Sequence, residues 1–228
     1  EHIPLERETV SWMCQSFAAR NLAPVVRIPS PDAYEACKVL DGGAVGVVAP
    51  YLEEIEDIQA LRGAVKYRPL KGRRLQRVLS GQEVLDETLT NYLGGYAADK
   101  LMVVNIESVP AIEALDDILA VPDIDALLVG PHDLSINLGI PEQYQHPIFT
   151  KAITTIIDKG RAKGVGVGFH YSFGITDAVS WARAGANFII HSTDYFLVRD
   201  ALRHDLGVFR DALGDEVAST GDDSMVVV

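Results

Sequence analysis

Short apolar runs rich in β-branched residues recur along this chain, and a stretch with helical spacing separates each from the next. The runs fall at 24–28, 44–49, 101–106, 124–129, 165–170 and 187–191. Each is almost continuously apolar rather than alternating, the pattern of a strand buried on both faces. Strands of that kind belong to parallel sheets covered by helices. Six such units fit either an open doubly wound sheet or a (β/α)8 TIM barrel lacking its first two strands, and periodicity alone does not separate the two. The length of 228 residues, 48% of them apolar, suits one α/β domain able to bury a sizeable core.

The helical stretches carry their own signals. Ser30-Pro31-Asp32 reads as N-cap, N1 and N2, followed by a stripe of Ala33, Ala36, Cys37 and Leu40 and a stop at Gly42. A second stripe runs through Phe149, Ala152, Ile153, Ile156 and Ile157, closed by Gly160 or Gly164. A third uses Ile175, Ala178, Val179 and Ala182. The stretch 66–82 interrupts the rhythm. It is basic and poor in apolar residues, and reads as a long connection at the ligand end of the fold. Gly164-Val165-Gly166-Val167-Gly168 lacks dinucleotide-loop spacing and suits a strand, with Gly166 and Gly168 leaving room on one face.

Two carboxylates occupy matching positions in this pattern. Glu107 follows Val103-Val104-Asn105-Ile106, and Asp133 follows Leu127-Leu128-Val129-Gly130-Pro131-His132. Both fall at or just past the C-terminal end of a strand, where ligands and catalytic groups gather in parallel α/β folds. Acidic residues there often serve only as helix caps. Ser108, however, is the better cap for the helix through Ile112, Leu115 and Leu119, which leaves Glu107 with no local task. A pair of hard oxygen donors suits Mg²⁺ or Mn²⁺. Arg27 interrupts the strand Val25-Val26-Arg27-Ile28 and needs an anionic partner, for which a substrate carboxylate matches its fork. His2 says nothing by itself.

Other classes are disfavoured. A net charge of −12 offers no basic surface for nucleic acid or anionic membrane. No apolar run is long enough to span a bilayer and no signal peptide opens the chain. Cys14 and Cys37 make no disulfide framework and read as small core residues of a reducing compartment, so a cytoplasmic location is expected.

Taken together, these residues resemble the HpcH/HpaI aldolase family, metal-dependent pyruvate aldolases of the phosphoenolpyruvate/pyruvate barrel superfamily. Asn105-Ile106-Glu107-Ser108 is similar to the strand carrying the first metal ligand. Gly130-Pro131-His132-Asp133-Leu134-Ser135 is similar to the Gly-Pro-x-Asp-Leu-Ser signature that carries the second. Val26-Arg27-Ile28-Pro29 resembles the strand of the oxo-acid-binding arginine. Glu1-His2 resembles the end of the second strand, with its acid/base histidine, and Leu40-Asp41-Gly42-Gly43 the segment of that histidine's aspartate partner. The separations, 25 from His2 to Arg27, 14 from Arg27 to Asp41 and 26 from Glu107 to Asp133, follow the family register. The segment Tyr67-Arg68-Pro69-Leu70-Lys71-Gly72-Arg73-Arg74 departs from the family's Tyr-Pro-Pro-x-Gly-x-Arg-Gly.

The resemblance implies a TIM barrel over residues 1–213 with the first one to two βα units missing, and an acidic tail over 214–228. It implies reversible cleavage of a 4-hydroxy-2-oxo acid to pyruvate and an aldehyde. Glu107 and Asp133 would hold Mg²⁺ or Mn²⁺. Arg27, Gly130, His132 and Asp133 would bind the oxo acid, and His2 and Asp41 would form the proton-accepting dyad, in a homo-oligomer. Alternatives are a citrate- or malyl-CoA-lyase-like or oxaloacetate-decarboxylating relative, and a non-catalytic subunit that binds an oxo acid.

Overall fold

The computed structural model describes residues 5–171 and 174–214. All six expected strands form: β1 (Val25–Arg27), β2 (Gly46–Ala49), β3 (Leu101–Ile106), β4 (Ala126–Val129), β5 (Gly166–Tyr171) and β6 (Phe188–His191). They make one parallel sheet in the order β1-β2-β3-β4-β5-β6. A doubly wound sheet reverses its strand order at a switch point. This one never does, so the barrel alternative is the correct one. The sheet curls into a partial TIM barrel, and among the described residues no pairing joins β6 to β1.

The curl gives each strand two different environments. Val47, Ala49, Met102, Val104, Ile106, Leu127, Val129, Val167 and Phe169 face outward into the main core. The helices close over them: α1 (Arg7–Ala18), α2 (Ala33–Asp41), α3 (Ile55–Lys66), α4 (Gly72–Leu79), α5 (Glu87–Ala97), α6 (Val109–Glu113), α7 (Leu115–Ile118), α8 (Pro131–Asn137), α9 (Pro147–Ala162), α10 (Ile175–Arg183) and α11 (Asp194–Leu213). The residues between them along each strand, Val48, Val103, Ala126 and Leu128, form a smaller cluster on the concave side with Val25, Phe188 and Ile190. Burial on both faces accounts for the continuous apolar runs of β2, β3 and β4; β1 is half-buried, and β6 alternates half-buried with exposed residues. No helix among the described residues is long and apolar enough to cross a membrane.

Local readings are corrected in several places. The cap of α2 is Asp32, whose carboxylate accepts from the Tyr34 and Glu35 amides, two residues beyond the expected Ser30. The stripe of α2 is as expected, with Ala36 and Leu40 buried and Ala33 and Cys37 packed against them. Gly164 at φ +75° ends α9, while Gly160 lies inside that helix against Val167. In α10 the buried residues are Ala178 and Trp181; Ile175 and Val179 are exposed. The stretch 66–82 is not an open connection at the ligand end. It leaves α3 at the N-terminal edge of the sheet, where Arg62 pairs with Asp123 at 2.8 Å and Lys66 with Asp125 at 2.7 Å. It then forms α4, which lays Leu75 and Leu79 against Gly63 of α3.

The room expected at Gly166 and Gly168 is already taken. A Cβ at Gly168 would lie 1.9 Å from the Phe188 carbonyl oxygen, and one at Gly166 would meet Ala126 at 3.2 Å. These glycines permit close strand approach, not ligand access. Gly168→Ala should therefore destabilise the fold by about 3 kcal/mol, as overpacking against backbone does. Urea denaturation reads this directly, and a change within error would contradict the close approach.

Candidate active site

The sheet register brings the two carboxylates to one place. Ile106 pairs with Val129, so the next residues, Glu107 and Gly130, face each other at the C-terminal rim. Glu107 is buried, and its carboxylate rests on Gly130: a Cβ at that position would lie 2.9 Å from Glu107 Oε2 and 3.7 Å from Asp133 Oδ2. Both carboxylates thus border the same point in space. Gly130 caps α8, and Asp133 projects from its first turn. Ser108 accepts from the Ala111 amide as the cap of α6, as expected, and leaves Glu107 unused by the helix.

Neighbouring groups hold Glu107 in position. Tyr51, just beyond β2, adopts φ 54°, a left-handed conformation unusual for a tyrosine. Its amide donates to Glu107 Oε1 at 2.9 Å. The Asn105 side-chain amide donates to Glu107 Oε2 at 3.1 Å. Burial pushes the Glu107 carboxyl above the usual range. The Tyr51 amide, the Arg27 charge and the Asn105 amide act against that rise, and the Asp133 charge adds to it. Arg27, half-buried at the end of β1, is thereby part of the same electrostatic unit.

A cavity of about 220 Å³ opens here, bordered by Tyr51, Asn105, Glu107, Ser108 and Asp133. Asn105 Oδ1 is buried with no hydrogen-bond partner among the described residues. The donor set fits a small hard cation. Two carboxylates, each oxygen with a lone pair to spare, match the demand of Mg²⁺ or Mn²⁺ for few protein ligands and several waters. Among the described residues no group of three or more His, Cys, Asp or Glu offers a softer site. Asn105 and the Tyr51 amide are the contributors that sequence reasoning missed. A polar residue inside an apolar strand signalled the first; nothing in a side chain could signal the second.

The remaining residues divide. The His132 ring faces Glu142, 3.6 Å away, an ion-pair partner outside the carboxylate pair. The amides of His132 and Asp133 lie in the first turn of α8, ahead of its first intrahelical bond from Leu134 to Gly130. Asp41 is not brought to this place. It ends α2, which returns the chain to the N-terminal edge of β2, and there it pairs with Arg68. Within one chain the expected His2–Asp41 dyad therefore lacks its aspartate at the rim. His2 itself lies outside the described residues.

Gly130→Ala tests the cradle. Its φ of −90° is open to alanine, so the chain should fold, but the new Cβ would displace the Glu107 carboxylate. Cation affinity should fall about 10- to 100-fold, as for loss of a supporting group. Calorimetric titration with Mn²⁺ would show it, and unchanged affinity would dissociate Gly130 from the site.

The sequence profile described as HpcH/HpaI aldolase/citrate lyase matches residues 4–201. The chain is 30% identical over 210 residues to the 2-keto-3-deoxy-L-rhamnonate aldolases of Escherichia coli (strain K12) and Salmonella gallinarum, covering 92% of this chain and 78% of each relative. Among solved structures it is similar to an HpcH/HpaI aldolase/citrate lyase family protein from Burkholderia cenocepacia, with TM-score 0.77, 25% identity, and coverage of 92% of this chain and 83% of that one. It is similar to the citrate synthase SbnG with the same score and identity, over 95% and 83%. An HpcH/HpaI aldolase from Desulfitobacterium hafniense shares the fold at TM-score 0.76 and 23% identity, over 97% and 83%.

Proposed function

The chain belongs to the HpcH/HpaI aldolase/citrate lyase family, and we propose that this carbon–carbon lyase reversibly cleaves a 4-hydroxy-2-oxo acid to pyruvate and an aldehyde. The observation that carries the reading is the pairing of Glu107 and Asp133 around Gly130, with the Arg27 charge felt at the same carboxylate. A divalent cation held by Glu107 and Asp133 would supply Lewis acidity at the C2 oxo oxygen.

The chain's own groups do the rest. The guanidinium of Arg27 places positive charge beside the oxygen that becomes anionic when C3–C4 breaks. The His132 and Asp133 amides accommodate the substrate carboxylate. Asn105 and the Tyr51 amide keep Glu107 fixed while charge develops. His2 is the acceptor of the C4 hydroxyl proton in this proposal, without Asp41 as its same-chain partner. A cytoplasmic location remains part of the reading, on the ground of the free thiols of Cys14 and Cys37.

Pyruvate in D₂O with Mg²⁺ or Mn²⁺ should exchange its C3 hydrogens in the presence of the protein, and added aldehyde should then give aldol product. Chelation should stop both. No exchange with either metal would overturn the aldolase reading. Exchange without aldol formation, accompanied by decarboxylation of oxaloacetate or cleavage of a CoA thioester, would move the function to those relatives.

Assembly as a homo-oligomer is included in the proposal. The described part of α11 buries no residue, and Leu202, Leu206, Phe209 and Leu213 are among its exposed apolar side chains. A second copy is the partner we infer for that face. Sedimentation at micromolar concentration should give a multiple of the 24.8 kDa chain mass, and a monomer would refute it.

A further inference from the structure

Resting on the aldolase reading, we propose that His170 recognises the aldehyde-derived half of the substrate, accepting a hydrogen bond through Nδ1 from a hydroxyl beyond C4. The position comes from the register. Ile106 pairs with Val129, and Val129 with Phe169. The next row along the rim is therefore Glu107, Gly130 and His170, on the concave side. Neighbouring strands lie about 4.8 Å apart, which sets the Glu107 and His170 backbones roughly 10 Å from each other. Gly130, between them, has no side chain. The Glu107 carboxylate rests over Gly130, and His170 follows one strand further along the same rim.

His170 also borders a cavity of about 810 Å³ that Arg27 lines. In the proposed reaction Arg27 and the carboxylate pair take the oxo-acid end. His170 is then placed to meet what extends beyond it.

The state of the ring decides what it can recognise. One of its nitrogens, Nε2, lies 3.1 Å from the Ser192 carbonyl oxygen. A carbonyl only accepts, so Nε2 carries the hydrogen, and in the neutral ring Nδ1 holds the lone pair. Ser192 sits at φ 56°, immediately before Thr193 caps α11. That left-handed turn belongs to the strand–helix junction, so the tautomer is set by the fold. The ring is half-buried and shares its cavity with Arg27 and Thr193. An acceptor nitrogen pairs with a donor, and on an aldehyde that bears a hydroxyl group the hydroxyl is that donor.

The test condenses pyruvate with lactaldehyde, which carries a 2-hydroxyl, and with propanal, which does not. His170→Leu should lower kcat/KM for lactaldehyde about tenfold and change propanal little, with deuterium exchange into pyruvate unaltered. His170→Gln, which restores an acceptor oxygen, should recover part of the loss. Equal losses on both aldehydes, or a loss of pyruvate exchange in a folded variant, would overturn the assignment. Nitrogen-15 spectra of the wild-type ring give a check that needs no variant: the Nε2–H tautomer is expected, and an Nδ1–H ring would refute it. Failure of wild-type protein to exchange pyruvate is a different outcome, which removes the aldolase reading and this inference together.

Discussion

Asp133→Asn is expected to reduce cleavage on the order of 10³-fold or more, since it removes charge at the centre of a two-carboxylate site. It should also abolish the rise in thermal midpoint that Mg²⁺ or Mn²⁺ produces in the wild type. That rise is worth about 2.7 kcal/mol when the cation stands at a hundred times its Kd. Glu107→Gln should do the same, with an added signature in pH. In the metal-free chain burial raises the Glu107 carboxyl, so the folded state keeps this proton to higher pH than the unfolded state. The cost of ionising it is absent below the unfolded value, grows as pH rises through the window, and is complete above the folded value. Cation binding requires the ionised form. Affinity should therefore weaken as pH falls through that window, with a proton released on binding. Calorimetry in two buffers of different protonation enthalpy measures the release. A pH-independent affinity, or an Asp133→Asn protein with normal turnover, would remove both residues from the site.

Arg27→Ala should cost turnover on the order of 10² or more, by comparison with loss of an oxyanion donor, with the circular dichroism spectrum retained. Lysine should rescue it only in part, because an ammonium lacks the planar fork. The same change has a second consequence. The Arg27 charge lowers the Glu107 carboxyl, so its removal should move the pH midpoint of cation binding upward. Loss of activity with no movement of that midpoint would mean that Arg27 works on the substrate alone. Full activity would exclude it from the chemistry.

Much of this arrangement was legible in the chain. Short apolar runs mark all six strands, although β6 leaves Ile189 exposed, and Glu107 and Asp133 stand out because each follows such a run. Periodicity could not choose between doubly wound and barrel sheets, since strand order is a long-range property that it does not encode; the family resemblance chose the barrel, and the strand order agrees. Asp41 illustrates another limit. Its spacing from Arg27 matched the family pattern, but spacing does not say at which end of a strand a residue lies; the direction of α2 does. The helix α4 was hidden by arginines that mask its Leu75 and Leu79 contacts. Tyr51 was beyond reach, because its contribution is a backbone amide turned by a left-handed residue.

The ion pairs of Arg62, Lys66 and Arg68 lie at the opposite edge of the sheet from Glu107, Asp133 and His170. Strands of four to six residues separate the two rims, a span of about 13–20 Å. Changes that far apart, with no shared partner, contribute free energies that add. A variant rim selected for a new aldehyde acceptor can therefore be combined with a repaired or strengthened lower edge, and the behaviour of the double variant computed from the two singles. In this scaffold acceptor choice and robustness are separately adjustable, which makes the chain a suitable host for directed change of its substrate range.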